Sequence, residues 1–297
     1  MREKLEACLQ SPSPRPSPGG RGGNRPQSER NRQVKFAFMT FSTPELTLAE
    51  NFEVAKRYGY DGIEPRLDQE HGHKVEVTAS ADERAAIKAQ AAQAGIAIAC
   101  LAASIRYADA STTDEMIAQT HERIDLAGDV GCPMMRVFGG PIPEGASREE
   151  AIALLVKSLS SVAEHAAERG VTICLETHDD WTDPAHVAAV LRGVNHPNIA
   201  CNWDIMHPVR TGKATVDEAF AALKPWVRHL HVHDRDPESG ELCPIGEGDV
   251  DHHRALELLK TVDYDGFISG EWIGWEPYDV HLPREIGILK GYESELD

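Results

Sequence analysis

The sequence contains 297 residues, of which 41% are hydrophobic, enough to bury the core of one large α/β domain or of two smaller ones. Acidic residues outnumber basic ones by 48 to 30, and the net charge is −18. The first 33 residues hold seven basic and three acidic residues, a net of +4, so the rest of the chain carries −22. A chain this acidic repels phosphate backbones, and we expect it to bind small polar substrates or a cation rather than nucleic acid.

The six cysteines form no C-x-x-C pair, which argues against a disulfide framework and against a zinc site built from thiolates. The sequence contains no apolar run of membrane-spanning length, and its first ten residues lack the apolar core of a signal peptide. We therefore expect a soluble, cytoplasmic protein that does not bind membranes.

The first 33 residues differ in composition from the rest. Residues 10–33 are rich in Pro, Gly, Ser and Arg and contain almost nothing apolar, so they cannot bury enough surface to offset the entropy of ordering. A basic RNA-binding tail is one interpretation. A disordered leader, which could lie outside the natural start of the protein, fits the composition better. We predict a disordered leader over 1–33 and a single folded domain over 34–297.

Eight short apolar runs follow and are predicted to be strands: 34–41, 61–66, 96–103, 134–140, 171–176, 199–204, 227–234 and 266–272. Helical patterns lie between them. Four begin at Ser/Thr-x-x-Glu capping boxes, at Ser80, Thr112, Ser147 and Thr215. Eight strands alternating with helices over about 250 residues predict a (β/α)8 TIM barrel. The competing doubly wound sheet is disfavoured, because no G-x-G-x-x-G follows any strand.

Four consecutive predicted strands end in a carboxylate or an imidazole: Glu176, Asp204, His231 and Glu271. In a barrel, the carboxyl ends of the strands form the active-site face, so these four side chains could converge there. Taken singly, each would be a surface charge or a hydrogen-bonded core histidine. Together, three converging carboxylates need a neutralising cation. Oxygen donors with one imidazole suit one divalent metal ion, with Mn²⁺ preferred and Mg²⁺, Co²⁺ or Zn²⁺ as alternatives.

The stretch HLHVHD places His229, His231 and His233 on one face of a strand. This row could form a three-histidine zinc site by itself. The neighbouring carboxylates make a single imidazole sufficient. We expect His231 to be the ligand, His229 to support it from below, and His233 to contact the substrate.

The sequence resembles the xylose-isomerase-like TIM-barrel superfamily of sugar and sugar-phosphate isomerases and epimerases. The resemblance runs from about Val34 to the C-terminus and is carried by LETH (175–178), NWDIMHP (202–208), HVHD (231–234), GEGDVD (246–251) and DGFISGEW (265–272). It implies that Glu176, Asp204, His231 and Glu271 bind the metal and that Glu176 and Glu271 also move protons. It further implies that His178 and His207 contact the substrate.

The chain departs from many relatives, which read H-x-K-D where His233 stands here. Pro237 occupies the position at which sugar 3-epimerases carry an arginine. Glu64 and Arg136 are further candidates for substrate contact, although a salt bridge of Glu64 with Arg66 or Arg136 is an equal alternative. The loop over 67–77, which holds His71 and His73, could close over the pocket; a solvated loop is the more common outcome.

Three reactions are compatible with these ligands. Two bases on opposite faces of an enediolate would epimerise a sugar, and one base moving a proton between neighbouring carbons would isomerise it. Expulsion of a β-hydroxyl would make the enzyme a dehydratase, similar to inosose dehydratase. We favour an isomerase or epimerase acting on a small-molecule sugar or sugar phosphate, and homo-oligomer formation stays open. An apurinic-site endonuclease is disfavoured by the acidic charge and the lack of a histidine on strand three. A non-catalytic binding module is disfavoured because all four ligands are present.

Overall fold

The computed structural model describes residues 34–296, so the predicted leader over 1–33 lies outside the described residues. The strands are β1 (Lys35–Met39), β2 (Gly62–Glu64), β3 (Ala97–Ile98), β4 (Leu101–Arg106), β5 (Met134–Phe138), β6 (Thr172–Glu176), β7 (Ile199–Asp204), β8 (Val227–Val232), β9 (Asp234–Arg235), β10 (Leu242–Cys243) and β11 (Phe267–Gly270). The helices are α1 (Leu48–Tyr58), α2 (Ala81–Ala94), α3 (Thr113–Val130), α4 (Arg148–Glu168), α5 (Pro184–Val194), α6 (Met206–Arg210), α7 (Val216–Leu223), α8 (His252–Lys260) and α9 (Tyr278–Glu295).

Within the described part of the chain, nine strands form one parallel sheet in the order β3-β2-β1-β11-β8-β7-β6-β5-β4. The first and last of these strands in the chain, β1 and β11, lie side by side. Between β2 and β4 the ring is completed by a parallel bridge from Arg66 to Ala102, and the Leu67 N–H donates to the Ala102 carbonyl across 3.0 Å. The strands and interleaved helices therefore form a (β/α)8 TIM barrel, which confirms the predicted fold.

The third strand of the barrel is divided. β3 pairs with β2, whereas β4 pairs with β5, and Ala99 and Cys100 lie between the two pieces. The prediction of one unbroken strand over 96–103 was therefore wrong in this detail. The chain passes from one neighbour to the other at the break, so β3 and β4 together occupy a single place in the barrel.

The helix starts agree with the capping signals except at one site. Ser80, Ser147 and Thr215 each form both hydrogen bonds of a capping box. At Thr112 no side-chain cap forms, so the predicted capping box is wrong. The Thr112 hydroxyl instead donates to the Asp109 carbonyl across 3.4 Å, within the turn that precedes the helix.

The two faces of the barrel strands bury different groups. Outward-facing side chains such as Leu175, Trp203 and Leu230 belong to the main apolar core. A separate small cluster of Ala37, Ala99 and Phe267 fills the opposite side. It leaves the interior near the carboxyl ends of the strands to polar groups, which is where the predicted metal ligands lie.

Candidate active site

The structure brings the four predicted metal ligands together at the carboxyl ends of neighbouring strands. Glu176 and Asp204 end β6 and β7, His231 lies near the end of β8, and Glu271 follows β11 directly. Each residue offers a ligand atom that lies within 4.8 Å of those of the others, and all four residues are buried. The Glu271 N–H donates to the Val232 carbonyl across 3.1 Å, which ties the loop after β11 to the strand of His231.

The imidazole of His231 lies at the centre of this group. Its Nδ1 is 2.7 Å from Oε1 of Glu176 and 3.2 Å from Oε2 of Glu271. Burial would lower the pKa of His231, but the charges of Glu64, Glu176 and Glu271 outweigh that effect and hold the pKa well above its usual value. In the metal-free protein a protonated His231 therefore balances part of the carboxylate charge.

Asp204 is fixed in one orientation by its own loop. Its Oδ1 accepts hydrogen bonds from the backbone N–H groups of Met206 and His207, at 2.9 and 3.1 Å. Its Oδ2 accepts one from Nε2 of His233 at 2.9 Å. Burial would raise the pKa of Asp204, yet the charges of His207 and His233 hold it well below the usual range. The carboxylate is consequently ionised and ready to bind a cation.

Glu271 differs from Glu176 in its surroundings. Burial would raise the pKa of Glu271, but the charge and hydrogen bond of His231 hold that pKa at about 2. Glu176 is flanked by Arg136, whose Nε lies 3.2 Å from Oε2 of Glu176. Arg136 also donates to the Ala103 carbonyl and packs 3.9 Å above the centre of the Phe138 ring. The structure thus places Arg136 against a metal-ligand candidate.

Glu64, a predicted substrate contact, lies one layer below the four ligands and is fully buried. Its two oxygens accept hydrogen bonds from the rings of His229, at 2.8 Å, and His231, at 3.1 Å. None of its ion pairs in the described residues involves Arg66 or Arg136, the two salt-bridge partners considered for it. The sequence gave no direct signal for this pairing across the barrel.

Three histidines surround the ligands on the solvent side, and they differ in exposure. The side chains of His178 and His207 are 32% and 16% exposed, whereas that of His233 is 6% exposed. The rings of His178 and His207 lie edge to face, 4.4 Å apart. His178 and His207 can therefore meet a substrate directly, while His233 faces Asp204.

Asp179 and Phe138 belong to this rim and were not identified from the sequence. Nδ1 of His178 lies 2.9 Å from Oδ1 of Asp179, and the Phe138 ring contacts the His178 ring at 4.8 Å. Burial would lower the pKa of His178, but the hydrogen bond from Asp179 and the charge of Glu176 outweigh it and raise that pKa to about 9. Asp179 directly follows His178 in the sequence, so adjacency was the available signal.

The loop over 67–77 packs against the barrel. His71 and His73 are buried, at 8% and 3% exposure, and the prediction of a solvated loop was wrong for them. Nδ1 of His71 lies 3.2 Å from the Thr40 hydroxyl, and the Gly72 N–H donates to the Pro44 carbonyl across 2.7 Å. These contacts hold the loop to the segment that follows β1.

The donor set fits a divalent cation. Oε2 of Glu176 is a buried carboxylate oxygen that accepts no hydrogen bond, and three carboxylates sharing one small volume repel one another unless a cation neutralises them. Three oxygen donors with one imidazole are typical of a Mn²⁺ or Mg²⁺ site and are compatible with Co²⁺ and Zn²⁺. An overlapping group formed by Asp204, His207 and His233 also brings three donor atoms together.

A model of the xylose isomerase-like TIM barrel family matches residues 52–290, and the chain belongs to this family. Among curated proteins it is similar to a 3-dehydroshikimate dehydratase of Bacillus anthracis, with 28% identity over 160 residues, 48% of this chain and 56% of that protein. It is also similar to the L-ribulose-5-phosphate 3-epimerase UlaE of Salmonella typhi, with 25% identity over 226 residues, 73% of this chain and 79% of that one. The match thus spans little more than half of the dehydratase but most of the epimerase.

Two solved structures share the fold. The probable 3-DHS dehydratase AsbF from Bacillus anthracis superposes with a TM-score of 0.72 at 21% identity, covering 86% of this chain and 99% of that chain. A structure of L-ribulose 3-epimerase gives a TM-score of 0.74 at 16% identity, covering 89% and 96%. The named relatives are epimerases and a dehydratase, so they are enzymes. Among residues 34–296, none of the helices has both the length and the apolar composition required to cross a bilayer.

Proposed function

We propose that this protein is a divalent-metal-dependent isomerase or epimerase that acts on a sugar or sugar phosphate through an enediolate of the substrate. The observation that carries the proposal is the convergence of Glu176, Asp204, His231 and Glu271, all buried, at the carboxyl end of the barrel. That end is where barrel enzymes bind and convert their substrates.

The four converging residues would hold the metal ion, and Mn²⁺ is our preferred occupant. When bound, the cation supplies Lewis-acid stabilisation of the negative charge that develops on the carbonyl oxygen of the substrate. Arg136 keeps its guanidinium against Glu176 and so limits the repulsion between Glu176 and the other two carboxylates.

Glu176 and Glu271 are the proposed acid and base. The low pKa of Glu271 keeps it ionised at neutral pH, so it can accept the proton α to the substrate carbonyl. Glu176 would return a proton from the other side, which inverts the carbon and gives epimerisation. If one carboxylate both removes the proton and delivers it to the neighbouring carbon, the product is the isomeric aldose or ketose.

The rim histidines are proposed to bind the hydroxyl groups of the substrate. His178 and His207 are exposed enough to donate hydrogen bonds to it. His233 contributes by holding Oδ2 of Asp204 and would reach a substrate only by leaving that contact.

A dehydratase is the second candidate, and His178 is the observation that favours it. The pKa of His178, about 9, means that a protonated imidazole lies at the rim beside Asp179. After a carboxylate removes the α-proton, this imidazolium could protonate a β-hydroxyl as its C–O bond breaks, releasing water and forming a C=C bond. The similarity to a dehydratase is consistent with this alternative. An apurinic-site endonuclease remains disfavoured by the net charge of −18.

Metal content and isotope exchange test the proposal together. Purified protein should contain about one divalent ion per chain, and Glu271→Gln should lose both ion and activity. Glu285→Gln, which changes another buried carboxylate outside the candidate site, should lose neither. Absence of bound metal under metal-replete conditions would overturn the mechanism.

Incubation in D₂O with free and phosphorylated ketoses would then separate the reactions. Deuterium at C3 indicates an epimerase, and deuterium at C1 or C2 indicates an isomerase. No exchange with any sugar, together with turnover of a cyclic hydroxy-ketone such as 3-dehydroshikimate, would establish the dehydratase instead.

A further inference from the structure

We infer that Glu64 is a positioning residue, which fixes the ring of His231 so that its Nδ1 faces the metal centre, and that His229 holds Glu64 in place for this purpose. The inference rests on the metal centre of the proposed function and deepens it, because it assigns a role to two buried residues outside the ligand set. It also replaces substrate contact as the role of Glu64.

The hydrogen bond from His231 to Glu64 determines which ring nitrogen is free. An ionised carboxylate only accepts hydrogen bonds, so Nε2 of His231, 3.1 Å from Oε1 of Glu64, must carry the proton of that bond. Nδ1 is then the nitrogen with an available lone pair. It points at Glu176 and Glu271, at 2.7 and 3.2 Å. A carboxylate that accepts from the far nitrogen of a metal-binding imidazole orients the ring and makes it a stronger ligand.

Glu64 is itself held by a second imidazole. Nε2 of His229 donates to Oε2 of Glu64 across 2.8 Å, so both oxygens of the carboxylate are engaged. Glu64 lies on β2 and the histidines on β8, and β1 and β11 separate these strands in the sheet. The contact therefore crosses the barrel interior, where Glu64, His229 and His231 all have zero exposure.

The local charge argues for a functional role. A buried carboxylate is costly unless it is paired, and the ion-pair partners of Glu64 in the described residues are these two imidazoles. An apolar side chain at residue 64 could fill the same space without that cost. The carboxylate has a use if it holds the His231 ring, since a ring free to turn would present either nitrogen to the metal.

Metal binding by the metal-free, full-length protein tests the inference without any substrate. The Kd for Mn²⁺ is measured from the free-ion EPR signal, and the visible absorption of bound Co²⁺ reports the coordination geometry. Glu64→Ala should weaken Mn²⁺ binding roughly 10- to 100-fold and change the Co²⁺ spectrum. Glu64→Gln retains one acceptor oxygen for His231 and should recover most of the affinity, whereas His229→Asn should give an intermediate loss.

Glu285→Gln is the matched control, because Glu285 is also fully buried but bonds to Arg284 and the Ile245 N–H. It should lower thermal stability with wild-type Kd and spectrum. Wild-type binding and spectrum in Glu64→Ala would overturn the inference and leave the proposed function standing. If Glu64→Ala does not fold, wild-type Kd and spectrum in both Glu64→Gln and His229→Asn would overturn it equally. A wild-type chain that binds no Mn²⁺ would refute the proposed function and this inference with it.

Discussion

The ring of His233 donates a hydrogen bond from Nε2 to Oδ2 of Asp204 across 2.9 Å, and both side chains are buried. A residue expected at the mouth of the pocket thus bonds to a metal-ligand candidate. His233→Ala should remove a hydrogen bond to a charged group, worth about 1.5–3 kcal/mol of stability, and should weaken metal binding. His233→Lys, which restores the residue found in many relatives, should recover metal binding. Thermal unfolding and Mn²⁺ titration of the two variants check this, and equal losses in both would contradict it.

The metal-free protein should become less stable as pH rises. The folded pKa of His231 is raised well above its usual value, against the effect of burial, by Glu64, Glu176 and Glu271. A raised histidine pKa stabilises the folded state fully below about pH 6.5, the unfolded value, and that contribution is lost as pH rises through the folded pKa. Metal binding must displace the same proton, so affinity should increase with pH.

Melting curves in EDTA and in excess Mg²⁺ provide the measurement. The Tm in EDTA should fall from about pH 6.5 upward, while the increase in Tm caused by Mg²⁺ grows. Calorimetry in two buffers of different ionisation enthalpy should detect proton release on binding near neutral pH. A Tm difference that shrinks with rising pH would contradict the assignment of this proton to His231.

His73 should make the protein sensitive to acid. Burial, with a smaller contribution from His71, lowers the pKa of His73 to about 4. A depressed histidine pKa means that the unfolded chain binds the proton first, so stability falls as pH decreases from 6.5 towards 4, by up to about 3 kcal/mol. His73→Asn keeps an acceptor for the Val75 N–H and should flatten the stability curve in that window. Denaturant unfolding at several pH values checks this, and an unchanged curve would refute it.

Gly270 is required by the ring of Trp272. A Cβ added at Gly270 would overlap that ring, which is buried directly after Glu271. Gly270→Ala should therefore cost about 1–3 kcal/mol of stability through overpacking and weaken metal binding by displacing Glu271. Gly287→Ala, with open space around an added Cβ, is the control and should leave both unchanged or stabilise helix α9. Similar behaviour of the two variants in unfolding and Mn²⁺ titration would contradict the argument.

The sequence predicted the barrel because its signals are local. Alternation along each strand and Ser/Thr-x-x-Glu at helix starts depend on residues a few positions apart, and Asp204 ends its strand where expected. The failures are non-local or competitive. Glu64 reaches His229 across the barrel, a contact between residues 165 positions apart. At Thr112 a turn centred on Asp109 takes the hydroxyl that would have capped the helix.

The break within the third strand has a similar cause. Runs of apolar residues do not reveal which neighbour a strand pairs with, and residues 97–106 change neighbours halfway. The burial of His71 and His73 also depends on distant partners, since the contacts that hold their loop come from Thr40 and Pro44. Neither feature leaves a periodic signal in the sequence.

The pairing of β1 with β11 joins the two ends of the described chain. Glu271 follows β11 directly, so its position depends on a contact between segments more than 220 residues apart in sequence. Such distant pairing forms slowly because a long chain must close first. A nascent chain that has not yet released residues 267–271 from the ribosome would hold only three of the four ligands. Tight metal binding would therefore mark the finished barrel, and the ion would act as a late clasp on a ring that is already almost closed.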